Sequence, residues 1–108
     1  MADLNTADYL AMKDRILAVF PRAERVVLFG SRARGTARPD SDVDLLVVVP
    51  TSLSRAERGA QVRLALRDFH VGFDIIVLTP EEWSRLRTWT STVVAQADSD
   101  GQVLHAAA

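Results

Sequence analysis

The chain has 108 residues, a formal net charge of -1, 48% hydrophobic and 25% charged residues, and no cysteine. These numbers suit one globular domain over residues 1–108 and exclude a disulfide framework, a thiolate zinc site and a second domain of ordinary size. The near-neutral balance argues against general nucleic-acid binding, and the absence of a leader pattern in Met1–Asn5 or of an apolar run near the roughly 18 residues of a membrane span makes the cytoplasm the expected location.

Tyr9, Met12, Ile16, Val19 and Phe20 recur at helical spacing, which predicts an amphipathic helix from about Thr6 to Val19, stopped by Pro21. Val26–Phe29, ending at Gly30, and Val43–Val49, closed by Pro50, are β-branched apolar runs that read as buried strands. Ser54 and Glu57 fit a capping box, and Val62, Ala65, Leu66 and Phe69 form one apolar face, so a second helix is expected from Arg55 to Phe69. That boundary makes His70 a helix-end residue near the C-terminal dipole. Phe73–Leu78 reads as a third strand. Thr79-Pro80-Glu81-Glu82 opens a helix that runs through Trp83 and Leu86, and Gln102–His105 is a short final strand. The order is that of an α/β domain. Trp83 and Trp89 read as core, with a partner surface as the other possibility.

Chemistry concentrates in Gly30-Ser31-Arg32-Ala33-Arg34-Gly35 and Ser41-Asp42-Val43-Asp44-Leu45. A glycine that ends a strand lets the backbone turn sharply, and the amides after it open a short helix able to face phosphate oxygens. Asp42 and Asp44, two positions apart at the start of a strand, leave the same face. Adjacent carboxylates repel unless a cation lies between them, and an oxygen-only set suits Mg²⁺. A solvated turn with capping aspartates is the plainer alternative. Asp74 interrupts an apolar strand, where a lone buried charge would cost several kcal/mol unless paired. It is therefore either a strand-edge residue bonded to an amide or arginine, or a third member of the acidic site. If strands two and three run parallel and strand one runs antiparallel to them, Gly30, Asp42, Asp44 and Asp74 share one edge of the sheet. Three acids beside a phosphate-binding turn match the two-metal scheme of phosphoryl and nucleotidyl transfer. The 12 arginines against the single Lys13 reflect either codon usage or phosphate contacts by a few of them.

Gly30-Ser31, ten intervening residues and Asp42-Val43-Asp44 resemble the Gly-Ser-x10-Asp-x-Asp signature of the minimal nucleotidyltransferase (MNT) domains of the DNA polymerase beta superfamily. The likeness runs from the first helix to Gly101-Gln102-Val103-Leu104-His105, where relatives carry a similar final strand. It implies a polymerase-beta-like fold, a small mixed sheet flanked by helices. It also implies Mg²⁺ ligands at Asp42, Asp44 and Asp74, with Asp74 as base, and nucleotide contacts at Gly30, Ser31 and Arg32. Many such proteins resemble antitoxins paired with HEPN-domain ribonucleases, which implies two Mg²⁺ ions, ATP as substrate and AMP transfer to a tyrosine of a HEPN partner. A module that neutralises its partner by contact alone is the alternative from another class, and an aminoglycoside-type transferase is a third. Templated synthesis is excluded by size. His105 departs from the tyrosine common at its position.

Overall fold

A computed structural model describes residues 4–88 and 93–107. Helix α1 spans Thr6–Val19, as the apolar spacing predicts, with Met12 and Ile16 fully buried. Its start carries a reciprocal box: the Asn5 side chain accepts from the Asp8 amide at 3.0 Å, and Asp8 accepts from the Asn5 amide at 2.9 Å. The Phe20 amide closes the last turn onto the Ile16 carbonyl before Pro21. Strand β1 (Arg25–Phe29), the one-turn helix α2 (Ser31–Arg34), strand β2 (Val43–Val48), helix α3 (Arg55–Ala65), strand β3 (Phe73–Leu78) and helix α4 (Pro80–Leu86) follow. Helix α5 (Val93–Asp100) and strand β4 (Gln102–Ala106) complete the chain.

The four strands form one mixed sheet in the order β3-β2-β1-β4. β2 and β3 are parallel, joined by the α3 crossover, and β1 is antiparallel to both β2 and β4. The sheet is buried on both faces, which is why its central strands read as continuous apolar runs. Val26, Leu28, Val43, Leu45 and Val47 pack with Met12 and Ile16 of α1 and Val62 of α3 on one face. Val27, Phe29, Leu46 and Val48 pack with Trp83, Val94 and Ala97 of α4 and α5 on the other.

Beyond one-residue differences at strand ends, two elements differ from expectation. α3 stops at Ala65 instead of Phe69, because the chain tightens into i→i+3 turns: the Leu66 amide reaches the Arg63 carbonyl and the Phe69 amide reaches that of Leu66. His70 consequently lies five residues past the helix, exposed, and not in its last turn. α5 was not anticipated. Its sequence, Val-Val-Ala-Gln-Ala-Asp-Ser-Asp, brings Val94 and Ala97 to the core, too little periodic signal to mark a helix. Trp83 is buried, as core packing predicts; Trp89 lies outside the described residues.

Among the described residues no helix is long and apolar enough to cross a membrane.

Candidate active site

Strand register assembles the acidic site. Phe29 of β1 pairs with Asp44 of β2, and Asp44 pairs with Asp74 of β3. The turn at Gly30 and the starts of β2 and β3 therefore meet at one sheet edge, as the parallel-plus-antiparallel arrangement predicts. Asp44 shares the parity of Leu46 and Val48, so it leaves the sheet on the face that α4 and α5 cover further along. Asp74, in register beside it, belongs to the same face.

Gly30 has φ +72° and caps α2 without a side-chain hydrogen bond. The left-handed value favours glycine, and a second constraint is spatial: a Cβ at this position would overlap Oδ2 of Asp44. The turn and the carboxylate thus occupy each other's space. Gly30 O accepts from the amides of Ala33 and Arg34 at 3.1 and 3.2 Å, which closes the single turn of α2, and Gly35, at φ +75°, ends it. Ser31 and Arg32 supply the first amides of that turn, half-buried beside the acids.

Asp44 is half-buried, whereas Asp42 and Asp74 are exposed. Exposure of Asp74 corrects the expectation of a charge sunk in an apolar strand. β3 is an edge strand and Asp74 stands near its first residue, so water reaches it without a compensating partner. Burial pushes the Asp44 carboxyl above its ordinary range, and the charges of Asp74 and then Asp42 push it further, against weaker opposition from Arg34 and Arg32. Three acids along one edge, with Asp44 disfavoured as a charge by burial and by the other two, form a site that a cation would satisfy. Among the described residues no three acidic or imidazole side chains close around a point that could hold a metal ion. Asp44 and Asp74 lie abreast at the edge, with Asp42 two residues before Asp44. Its donor set, carboxylate oxygens alone from two adjacent strands, fits Mg²⁺, which retains waters and substrate oxygens instead of demanding an all-protein cage.

Arg32 turns toward the loop that precedes β2. Its guanidinium donates to the Ser41 carbonyl at 2.6 and 3.0 Å and to the Pro39 carbonyl at 3.3 Å, with the Tyr9 hydroxyl at 3.5 Å. The residue expected at the nucleotide therefore also ties down the segment that delivers Asp42. On the far side of this tether an open cleft of about 470 Å³ lies between Asn5, Tyr9, Arg38, Pro39 and Gln102. Its walls do not include the three aspartates. Gln102, at the start of β4, donates to the Ala33 carbonyl at 2.7 Å and braces α2 from behind. His105 directs Nε2 to the Ala23 carbonyl at 3.2 Å, a packing contact remote from the acids in register.

The small mixed sheet, with a glycine turn and an Asp-x-Asp strand at one edge, has the fold of solved nucleotidyltransferase structures. Residues 12–96 match the family model described as nucleotidyltransferase domain, and the chain belongs to that family. A protein of Methanocaldococcus jannaschii, provisionally named a protein adenylyltransferase, is 34% identical over 65 residues, covering 60% of this chain. The matched part spans 65% of that relative's length. A toxin-antitoxin crystal structure with AMP-PNP superposes with a TM-score of 0.60 at 23% identity, over 91% of this chain and 73% of the other. The complex of a tri-AMPylated HEPN toxin of Shewanella oneidensis with its MNT antitoxin gives 0.52 at 20% identity, over 92% and 72%.

Proposed function

We propose that this chain is a single-domain, Mg²⁺-dependent adenylyltransferase that moves AMP from ATP to a tyrosine hydroxyl of a HEPN-domain partner, and so acts as an antitoxin in the cytoplasm. One observation carries the reading: the register Phe29–Asp44–Asp74, which lines two carboxylates along the edge at the Gly30 turn, with Asp42 two residues before Asp44. The solved relatives that include AMP-PNP or an AMPylated HEPN toxin supply the choice of nucleotide and acceptor.

In this reading Asp42, Asp44 and Asp74 hold two Mg²⁺ ions, which when bound neutralise charge on the triphosphate and on the departing pyrophosphate. The chain's own groups do the rest. The amides after Gly30 and the Ser31 hydroxyl bind triphosphate oxygens at the mouth of α2, and Arg32 borders them while holding the Ser41 carbonyl. Asp74, on its own strand and open to water, approaches the acceptor from the side and takes the proton of the attacking hydroxyl. Asp44, half-buried, is the fixed member that positions the nucleotide.

The test is transfer of label from α-³²P-ATP to a co-expressed HEPN protein. Wild-type chain should label the partner, and Asp42→Asn should label it at least about a hundredfold more slowly. Silencing of the partner without any label would replace the reading with inhibition by contact; label appearing on an aminoglycoside and not on protein would replace the acceptor.

A further inference from the structure

Each aspartate of the Asp-x-Asp pair rests against a glycine that flanks a neighbouring strand. Gly30, beside Asp44, is part of the motif that the sequence displays. Its counterpart is Gly72, just before β3, and no feature of the sequence singles it out. A Cβ built on Gly72 would overlap Oδ1 of Asp42 and stand 3.1 Å from its Cγ. The backbones are already locked here, since the Val43 amide donates to the Gly72 carbonyl at 2.8 Å. The parallel register places Val43 opposite Phe73, which puts Asp42 alongside Gly72. Gly72 is not in the left-handed region, so its backbone does not require glycine; only the space does.

We propose that Gly72 is a positioning residue for Asp42: its missing side chain leaves the hollow in which that carboxylate lies and so keeps Asp42 at the edge that Asp44 and Asp74 share. The assignment of a ligand role to Asp42 rests on the nucleotidyltransferase reading above, but the packing of Asp42 on Gly72 does not. A methyl group at residue 72 meets nothing nearer than the Asp42 carboxylate, which is the free end of an exposed side chain. The fold therefore has no reason to yield, and the carboxylate must move.

Two measurements on Gly72→Ala separate these parts. In the metal-free protein the Asp42 ¹³Cγ resonance should shift while that of Asp44 stays, and the melting temperature should hold or rise slightly, because alanine restricts the unfolded chain at a compatible position. With Mn²⁺ as the probe, followed by paramagnetic relaxation of water, affinity should fall about tenfold, as for other changes that misorient a ligand from outside the ligand set. Placed on an Asp42→Ala background, Gly72→Ala should have no further effect on Mn²⁺. An unmoved Asp42 resonance, a large drop in melting temperature, or an equal loss of Mn²⁺ affinity on the Asp42→Ala background would each overturn the proposal. Should wild-type protein bind neither Mn²⁺ nor Mg²⁺-ATP, the nucleotidyltransferase reading fails, and the Asp42 resonance alone decides the role of Gly72.

Discussion

Asp44 combines two requirements that oppose each other in the empty protein. It is the most buried of the three acids, and its carboxyl titrates above the ordinary range because burial and the charges of Asp74 and Asp42 disfavour ionisation. At neutral pH that repulsion weighs on the folded state and is relieved only by a cation or by loss of charge. Asp44→Asn should therefore lose at least about a hundredfold in AMP transfer while melting at the same temperature as wild type or higher. Retained activity, or a markedly lower melting temperature, would show that Asp44 is a structural group. Asp74 differs from it by being exposed and on a separate strand. Asp74→Asn should abolish transfer yet keep much of the Mg²⁺-dependent ATP affinity measured by calorimetry, since the proposed mechanism rests that affinity on Asp42, Asp44 and the amides after Gly30. Equal loss of binding in Asp74→Asn and Asp42→Asn would make Asp74 an anchor and leave it no part as base.

Secondary-structure elements were legible where local signals agreed. The start of α4 is an instance: Thr79, Pro80 and Glu82 spell a capped helix, and the Thr79 hydroxyl and Glu82 carboxylate exchange bonds with each other's amides at 3.3 and 2.8 Å. The sequence did not disclose the tertiary use of the same carboxylate. Glu82 also accepts from Arg58 at 2.8 Å and from Arg55 at 3.2 Å, so the cap of α4 is the counter-charge of an arginine buried under α3. Arg58 sits on an otherwise unremarkable helical face, and only the folded crossover shows what it meets. Gly72 escaped notice for the same reason, as its neighbour is 30 residues away in sequence. Asp74 is open to water because β3 is an edge strand, and a strand's place at the sheet edge is a property of topology, not of its apolar run. The bond from the Thr79 amide, followed by those from Arg58 and Arg55, lowers the Glu82 carboxyl from 4.5 to about 2. A depressed carboxyl adds stability that is complete above the unfolded value and fades as pH falls through the folded one. Glu82→Gln should thus cost about 2 kcal/mol near neutrality by leaving Arg58 without its counter-charge, and the gap to wild type should close between pH 4.5 and about 2 in acid melts. A gap that persists unchanged to the acid end would mean that the charge on Glu82 contributes nothing.

At the scale of the whole molecule, the sheet is covered on both faces and defended at the β3 edge, where arginines of α3 take outward carbonyls: Arg58 that of Val77 at 3.4 Å and Arg63 that of Phe73 at 3.1 Å. Burial on two faces fixes strand register, because a slip of one residue would send apolar side chains such as Leu45 and Leu46 to the wrong layers. The same register is what brings the acids together, so the core that stabilises the fold also holds three mutually repelling charges at its edge. A ligand that satisfies those charges binds the native chain and not the unfolded one, in which Gly30, Asp42 and Asp74 are strangers. Mg²⁺ with ATP should consequently raise the melting temperature by mass action, by an amount that grows with nucleotide concentration, at about 2.7 kcal/mol when ATP stands a hundredfold above its dissociation constant. ATP with EDTA should produce much less, because the triphosphate then meets the acids without a cation between them. The control is Asp42→Asn with Asp44→Asn, which should melt at least as high as wild type when empty and show little further response to Mg²⁺-ATP. Shifts of equal size with Mg²⁺ and with EDTA would remove the bridging role of the metal and leave the amides after Gly30 to account for nucleotide binding alone.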